Sequence, residues 1–64
     1  MRVRLNPQGR ELEVGGVKRV SDLLAKLNVL PGTVLVIRGE HLLTEDERLA
    51  AEDEIEVRAV VSGG

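Results

Sequence analysis

The chain contains no cysteine, phenylalanine, tyrosine or tryptophan, and each absence closes off a class of function. Without cysteine there is no disulfide, no thiolate zinc site, no thiol nucleophile and no side chain able to carry a persulfide. Without aromatic rings nothing can stack on an unpaired base. Formal net charge is −2, with acidic clusters at Glu45-Asp46-Glu47 and Glu52-Asp53-Glu54, which argues against direct nucleic-acid binding. These clusters read as solvated surface. The lone His41 cannot assemble a metal site by itself, so no metal is expected and the imidazole reads as a solvent-facing loop residue. No apolar run approaches membrane-spanning length. The opening Met1-Arg2-Val3-Arg4-Leu5 alternates instead of forming the apolar stretch of a signal peptide, so no membrane is expected and the expected compartment is the cytoplasm.

What remains is a chain of 64 residues whose apolar content is almost wholly aliphatic: ten Val, ten Leu and two Ile. That length holds one small core. In so small a domain, apolar burial and the entropy of ordering nearly cancel, so tight packing and consistent local signals are required.

Val3 and Leu5 alternate with Arg2 and Arg4, the period-two signature of a half-buried strand. Asn6-Pro7-Gln8-Gly9 carries turn chemistry. Leu12 and Val14 then alternate with Glu11 and Glu13, which predicts a hairpin whose polar face sets Arg2 and Arg4 against Glu11 and Glu13. Gly15-Gly16 ends it; no Walker or dinucleotide spacing surrounds this pair. Ser21 is the expected helix N-cap, with Asp22 in the first turn. Leu23, Leu24 and Leu27 share one helical face, Asn28 closes the helix, and Pro31-Gly32 prevents its continuation. Val34-Leu35-Val36-Ile37 predicts a third strand, and Leu42-Leu43 a short edge strand. Thr44 and Glu47 fit a capping box for a brief helical turn. Ile55, Val57 and Ala59 alternate with Glu54, Glu56 and Arg58 in a last strand.

One helix must cover one face of one sheet, because nothing else can bury that face. A hairpin, a right-handed crossover and a final strand placed beside the first define an α+β, ubiquitin-like β-grasp: a mixed sheet of four to five strands with one helix across one face. The domain is expected over residues 1–59, followed by a flexible tail over 60–64. Leu35 and Ile37 are expected to face the helix with Ile55 and Val57. Val34 and Val36 then project from the open face near Arg4, Glu56 and Arg58, forming a candidate partner-docking surface with a charged rim.

The tail itself is distinctive: Val61-Ser62-Gly63-Gly64. Glycine averages about 7% of residues, so two in succession at chosen positions arise by chance about 0.5% of the time. Without Cβ atoms they form the thinnest and most pliable tether available, suited to carrying a carboxylate into another protein's active site. Gly64 is the candidate reacting residue, Gly63 gives clearance, and Ser62, Val61 and Val60 give reach. No nucleophile–base constellation accompanies them, so the chain reads as a protein cosubstrate and not an enzyme. Lys18 and Lys26 are the only side chains able to accept an isopeptide bond from a second copy.

Val36-Ile37-Arg38-Gly39-Glu40, Leu42-Leu43-Thr44, Glu52-Asp53-Glu54-Ile55-Glu56-Val57 and Ser62-Gly63-Gly64 together resemble the prokaryotic ubiquitin-like sulfur carriers, the ThiS/MoaD/TtuB family. The likeness spans the whole chain. The Arg-Gly-Glu-x-Leu-Leu-Thr run and the Ser-Gly-Gly end bring it nearest the TtuB-type branch. The resemblance implies that an adenylating enzyme similar to ubiquitin-activating enzymes uses ATP to attach AMP to Gly64. A cysteine desulfurase or rhodanese-type donor would then supply sulfur, leaving a thiocarboxylate. A tRNA thiolation enzyme would consume it to make 2-thiouridine, and conjugation to protein lysines is a further implied activity. No cofactor is expected to stay bound to the carrier. Delivery to thiamine thiazole or molybdopterin synthesis, or a noncovalent β-grasp binding module, are the alternatives.

Overall fold

In a computed structural model, which describes residues 1–60, the alternating segments pair as their polarity requires. β1 (Arg2–Asn6) and β2 (Arg10–Glu13) form an antiparallel hairpin. Its register sets Val3 opposite Leu12 on one face, and Arg2 opposite Glu13 and Arg4 opposite Glu11 on the other. Gly9 closes the turn at φ 72°, a left-handed conformation that a side chain would strain. After the helix α1 (Val20–Lys26) and a single 3-10 turn (Pro31–Thr33) come β3 (Val34–Arg38), β4 (His41–Leu42) and β5 (Glu54–Ala59). The sheet order is β2-β1-β5-β3-β4. β5 lies parallel to β1 and antiparallel to β3. This is the mixed five-stranded β-grasp, with one helix across one face.

The helix begins one residue before the expected Ser21 cap. Arg19 occupies the cap position, and Val20 enters the helix because its side chain is needed in the core, where it is 1% exposed. Asp22 caps from inside the first turn: its Oδ2 accepts the backbone N–H groups of Lys18 and Arg19, each at 3.1 Å. The early amides of the helix find carbonyls on the connection between β4 and β5. Val20 donates to Glu47 at 3.0 Å and Ser21 to Glu45 at 2.9 Å. Helix starts leave such donors without intrahelical partners, so this connection completes the helix. At the other end Asn28 takes φ 60° and closes the helix as expected. Its N–H donates to the carbonyl of Ala25 at 3.1 Å, and that of Val29 to Leu24 at 2.9 Å, the paired bonds of a Schellman motif.

That role for the connection explains a second difference. Thr44 and Glu47 do pair, the Thr44 N–H donating to Glu47 Oε2 at 2.7 Å, but the segment makes a turn and no helix forms. It runs extended beside the helix start, with Leu49 N–H donating to Lys18 at 2.8 Å. The edge strand likewise sits one residue earlier than expected, at His41–Leu42. His41 is exposed, but in that strand and not in a loop.

Val3, Val14, Val20, Leu23, Leu24, Val36, Ile55 and Val57 make the buried core, with Leu5, Leu12, Leu27, Leu43 and Leu49 packed around it. The expected facing of β3 is reversed. Val36 is 4% exposed and stands opposite Val57, whereas Leu35 is 41% exposed and stands opposite Arg58. Val34 is partly buried and packs against the core. A run of four apolar residues has no alternation of its own, so its phase is imposed by the neighbouring strand. In β5 that phase is unambiguous, and a one-residue slip would invert every side chain of β3. Val34 and Val36 therefore belong under the helix and leave the candidate docking surface; Leu35 and Ile37 take their place on the open face.

The two facings separate in a stability measurement. Val36→Ala removes buried methyl groups and is expected to cost about 2 kcal/mol. Leu35→Ala is expected to stay within roughly 0.5 kcal/mol of wild type. Urea unfolding followed by far-ultraviolet circular dichroism reads both.

Candidate functional site

The open face of the sheet is divided into a charged half and an apolar half. On the hairpin side, the Arg2 guanidinium lies 3.9 Å from Glu11, 3.8 Å from Glu13 and 3.9 Å from Glu54, while Arg4 reaches Glu11 at 3.2 Å. The expected cross-strand charge pairing is thus present, and β5 extends it through Glu54. On the other side, Leu42 stands opposite Ile37, so Leu35, Ile37 and Leu42 share this face, with Leu42 63% exposed. Exposed aliphatic groups gathered on one face with a charged border have the anatomy of a transient interface.

Between the halves lies a polar row. Asn6 on β1 stands opposite Arg58 on β5. The Glu56 Oε2 atom accepts from Asn6 Nδ2 at 2.8 Å and from Arg58 Nε at 2.9 Å. The Asn6 hydrogen bond, then that from Arg58, holds the Glu56 carboxyl below the usual carboxylate range. Arg58 is exposed on this face, as the sequence placed it. Glu56 was expected on the open face beside Arg58, whereas Asn6 was not picked out from the sequence. Its signal was there, since alternation along β1 places Asn6 on the polar face.

The chain leaves the sheet beside this row. Val60 N–H donates to the Thr33 carbonyl at 3.0 Å, one step beyond the end of β5. The Val60 side chain is 47% exposed, and alternation after Arg58 puts it on the open face. The remaining tail candidates, Val61, Ser62, Gly63 and Gly64, lie outside the described residues. Of the two lysines, Lys26 donates through Nζ to the Gly15 carbonyl at 2.7 Å, and Lys18 precedes α1. Gly16 takes φ 78° in the turn before the helix. Among the described residues, no group of three His, Asp or Glu side chains is placed to hold a metal, and no helix is long and apolar enough to cross a membrane.

The acidic clusters are accounted for by local structure. Asp46 accepts from the Thr44 hydroxyl at 2.7 Å, which lowers its pKa. Asp53 joins three segments: its Oδ2 accepts the Ala50 N–H at 2.8 Å and Arg38 Nη1 at 3.1 Å, and its carbonyl accepts the Arg2 N–H at 3.2 Å. Arg38 also donates to the Arg48 carbonyl at 3.1 Å. Arg38 and Asp53 thus tie the entry of β5 to the end of β3.

A single-helix β-grasp whose chain departs beside an aliphatic face has the architecture of a small carrier protein. The profile of the ThiS family matches residues 3–64, and the chain belongs to that family of sulfur carriers. It is 42% identical over 65 residues to the sulfur carrier protein TtuB of Thermus thermophilus, an alignment covering 100% of both chains.

The backbone amide of Ala50 and then the Arg38 hydrogen bond hold the Asp53 pKa down against the opposing effect of burial. A carboxyl depressed on folding contributes stability above its unfolded pKa and loses that contribution as pH falls through the folded value. Stability is therefore expected to decline as pH drops below about 4. Asp53→Asn should lower the melting temperature at neutral pH and narrow its difference from wild type in acid, which thermal melts across pH will read.

Proposed function

We propose that the chain delivers sulfur as a thiocarboxylate on Gly64, with tRNA 2-thiouridine synthesis as the destination. The observation that carries this reading is 42% identity over the full length to a TtuB sulfur carrier, with the family match running through residue 64. A carboxylate is a poor acyl donor because its oxygen leaves badly. In the proposed first step, an oxygen of the Gly64 carboxylate attacks the α-phosphorus of ATP in the adenylating partner and pyrophosphate departs. The carbonyl then carries AMP, a good leaving group. A persulfide on a desulfurase or rhodanese-type donor attacks the carbonyl carbon and expels AMP. A second thiol cleaves the resulting S–S bond, becoming part of a disulfide and releasing the thiocarboxylate. Both thiols must come from partners, since the carrier has no cysteine. Attack by a lysine amine on the activated carbonyl gives the isopeptide of protein conjugation by the same logic. All of these steps use cytoplasmic enzymes.

The open sheet face fits the docking role. Gly64 is the fourth residue beyond Val60, a reach of at most roughly 14 Å. A partner that takes Gly64 into a nucleotide pocket must therefore sit close to Val60, and Leu35, Ile37, Leu42 and Arg58 share the face from which Val60 leaves. Side chains on Gly63 or Gly64 would narrow the entry and restrict the backbone.

Incubation with ATP, the adenylating enzyme and a persulfide donor is expected to give an acyl-adenylate, then a carrier heavier by the exchange of one oxygen for sulfur. Intact-protein mass spectrometry reads both. A variant lacking Gly64 should give neither product while keeping the wild-type melting temperature, and its gene should fail to restore 2-thiouridine in a deletion strain. Sulfur retained on the truncated protein refutes the assignment to Gly64.

A further inference from the structure

We propose that Arg58 is a pre-aligned cationic contact on the docking face, held in place by Glu56 and Asn6, and that it receives a carboxylate of the enzyme that activates Gly64. The inference rests on the sulfur-carrier reading above and adds the chemistry of the partner's surface.

Three features of the row support it. First, the guanidinium is fixed. Arg58 Nε lies 2.9 Å and Nη2 2.8 Å from the same Glu56 oxygen, and Asn6 Nδ2 anchors that oxygen from the next strand at 2.8 Å. The Glu56 side chain is only 26% exposed, while that of Arg58 remains 57% exposed. Two donors on one edge of the planar group are thereby used, and its other N–H groups are left for an external acceptor. Alignment before contact reduces the rotamer entropy lost when a long side chain enters an interface.

Second, the other arginines of the open face are committed elsewhere. Arg2 lies among Glu11, Glu13 and Glu54, and Arg4 pairs with Glu11. Arg38 alternates with Val34 and Val36 onto the helix side of β3 and is held there by Asp53. The groups facing Glu56 and Arg58 are Asn6 and Arg4 from β1, and Ile37 and Leu35 from β3. Among the described residues, no second acidic side chain lies within ion-pair distance of Arg58.

Third, position selects the partner. Arg58 stands opposite Leu35 and two residues before Val60, at the end of the sheet from which the short tether departs. An enzyme within roughly 14 Å of Val60 meets the Leu35–Ile37–Leu42 patch and Arg58 together. The complementary surface is aliphatic, with a carboxylate at its border. A partly exposed pair such as Glu56–Arg58 contributes little to folding, so its geometry is available for recognition.

The test is ATP–pyrophosphate exchange catalysed by the adenylating enzyme, with full-length carrier as the varied substrate. Arg58→Gln is expected to raise KM about tenfold while kcat stays within about twofold, because Arg58 binds the partner and does not touch the reacting carbonyl. Arg58→Lys should recover part of the loss, and Glu56→Gln should raise KM about threefold by releasing the guanidinium from its alignment. The gap between wild type and Arg58→Gln should close as salt shortens the screening length to about 3 Å. Unchanged melting temperatures separate these effects from folding. A wild-type KM for Arg58→Gln at low salt, or a KM change indifferent to salt, overturns the inference. Absence of exchange with the wild-type carrier instead overturns the sulfur-carrier mechanism beneath it.

Discussion

The register of β5 is the constraint on which the other features depend. It lies between β1 and β3, pairing with one in parallel and the other antiparallel. Its strict alternation sends Ile55 and Val57 beneath the helix and Glu54, Glu56 and Arg58 to the opposite face. Each neighbour inherits that choice. Val3 and Val36 are drawn into the core, while Arg4, Leu35 and Ile37 are turned outward. Because β5 also leads directly into the tail, the same register decides which surface lies beside the point where the chain leaves the sheet.

The helix shows how a domain this small stays ordered. Seven residues are too few for a helix to persist alone in water. Val20, Leu23 and Leu24 anchor it to the sheet, Asp22 and the carbonyls of Glu45 and Glu47 satisfy its start, and Asn28 closes its end. Among the described residues, no buried side-chain nitrogen or oxygen lacks a hydrogen-bond partner. The acids that look like a charged patch in the sequence serve mainly as local ties: Asp46 and Glu47 at the Thr44 turn, Asp53 at the Ala50 turn and Arg38.

Much of this was legible from residues alone. The strands with clean alternation, β1, β2 and β5, could be placed, as could the helix closed by Asn28 and the hairpin charge pairing. The misreadings arose where local pattern was silent and tertiary contact decided. Val34 to Ile37 carry no polarity contrast, so only pairing with β5 could orient them. Ser21 is a better intrinsic cap than Arg19, but the core required Val20 inside the helix. Thr44 and Glu47 formed their expected bond, yet no helical turn followed, because the backbone there is needed to complete α1. At the candidate site, Arg58 was found by its place in an alternating strand. Glu56 was expected on the same face, but its bond to Asn6 was not, because a partnership between residues 6 and 56 depends on β1 and β5 being neighbours.

The two lysines belong to α1 and its lead-in, on the side of the molecule that the sheet separates from Leu35, Leu42 and Arg58. Amine-directed chemistry on a lysine side chain, whether acetylation, an isopeptide bond or coupling to a bead, would thus land behind the face proposed for docking. A carrier decorated at Lys18 would still present an unencumbered front to the machinery that loads it.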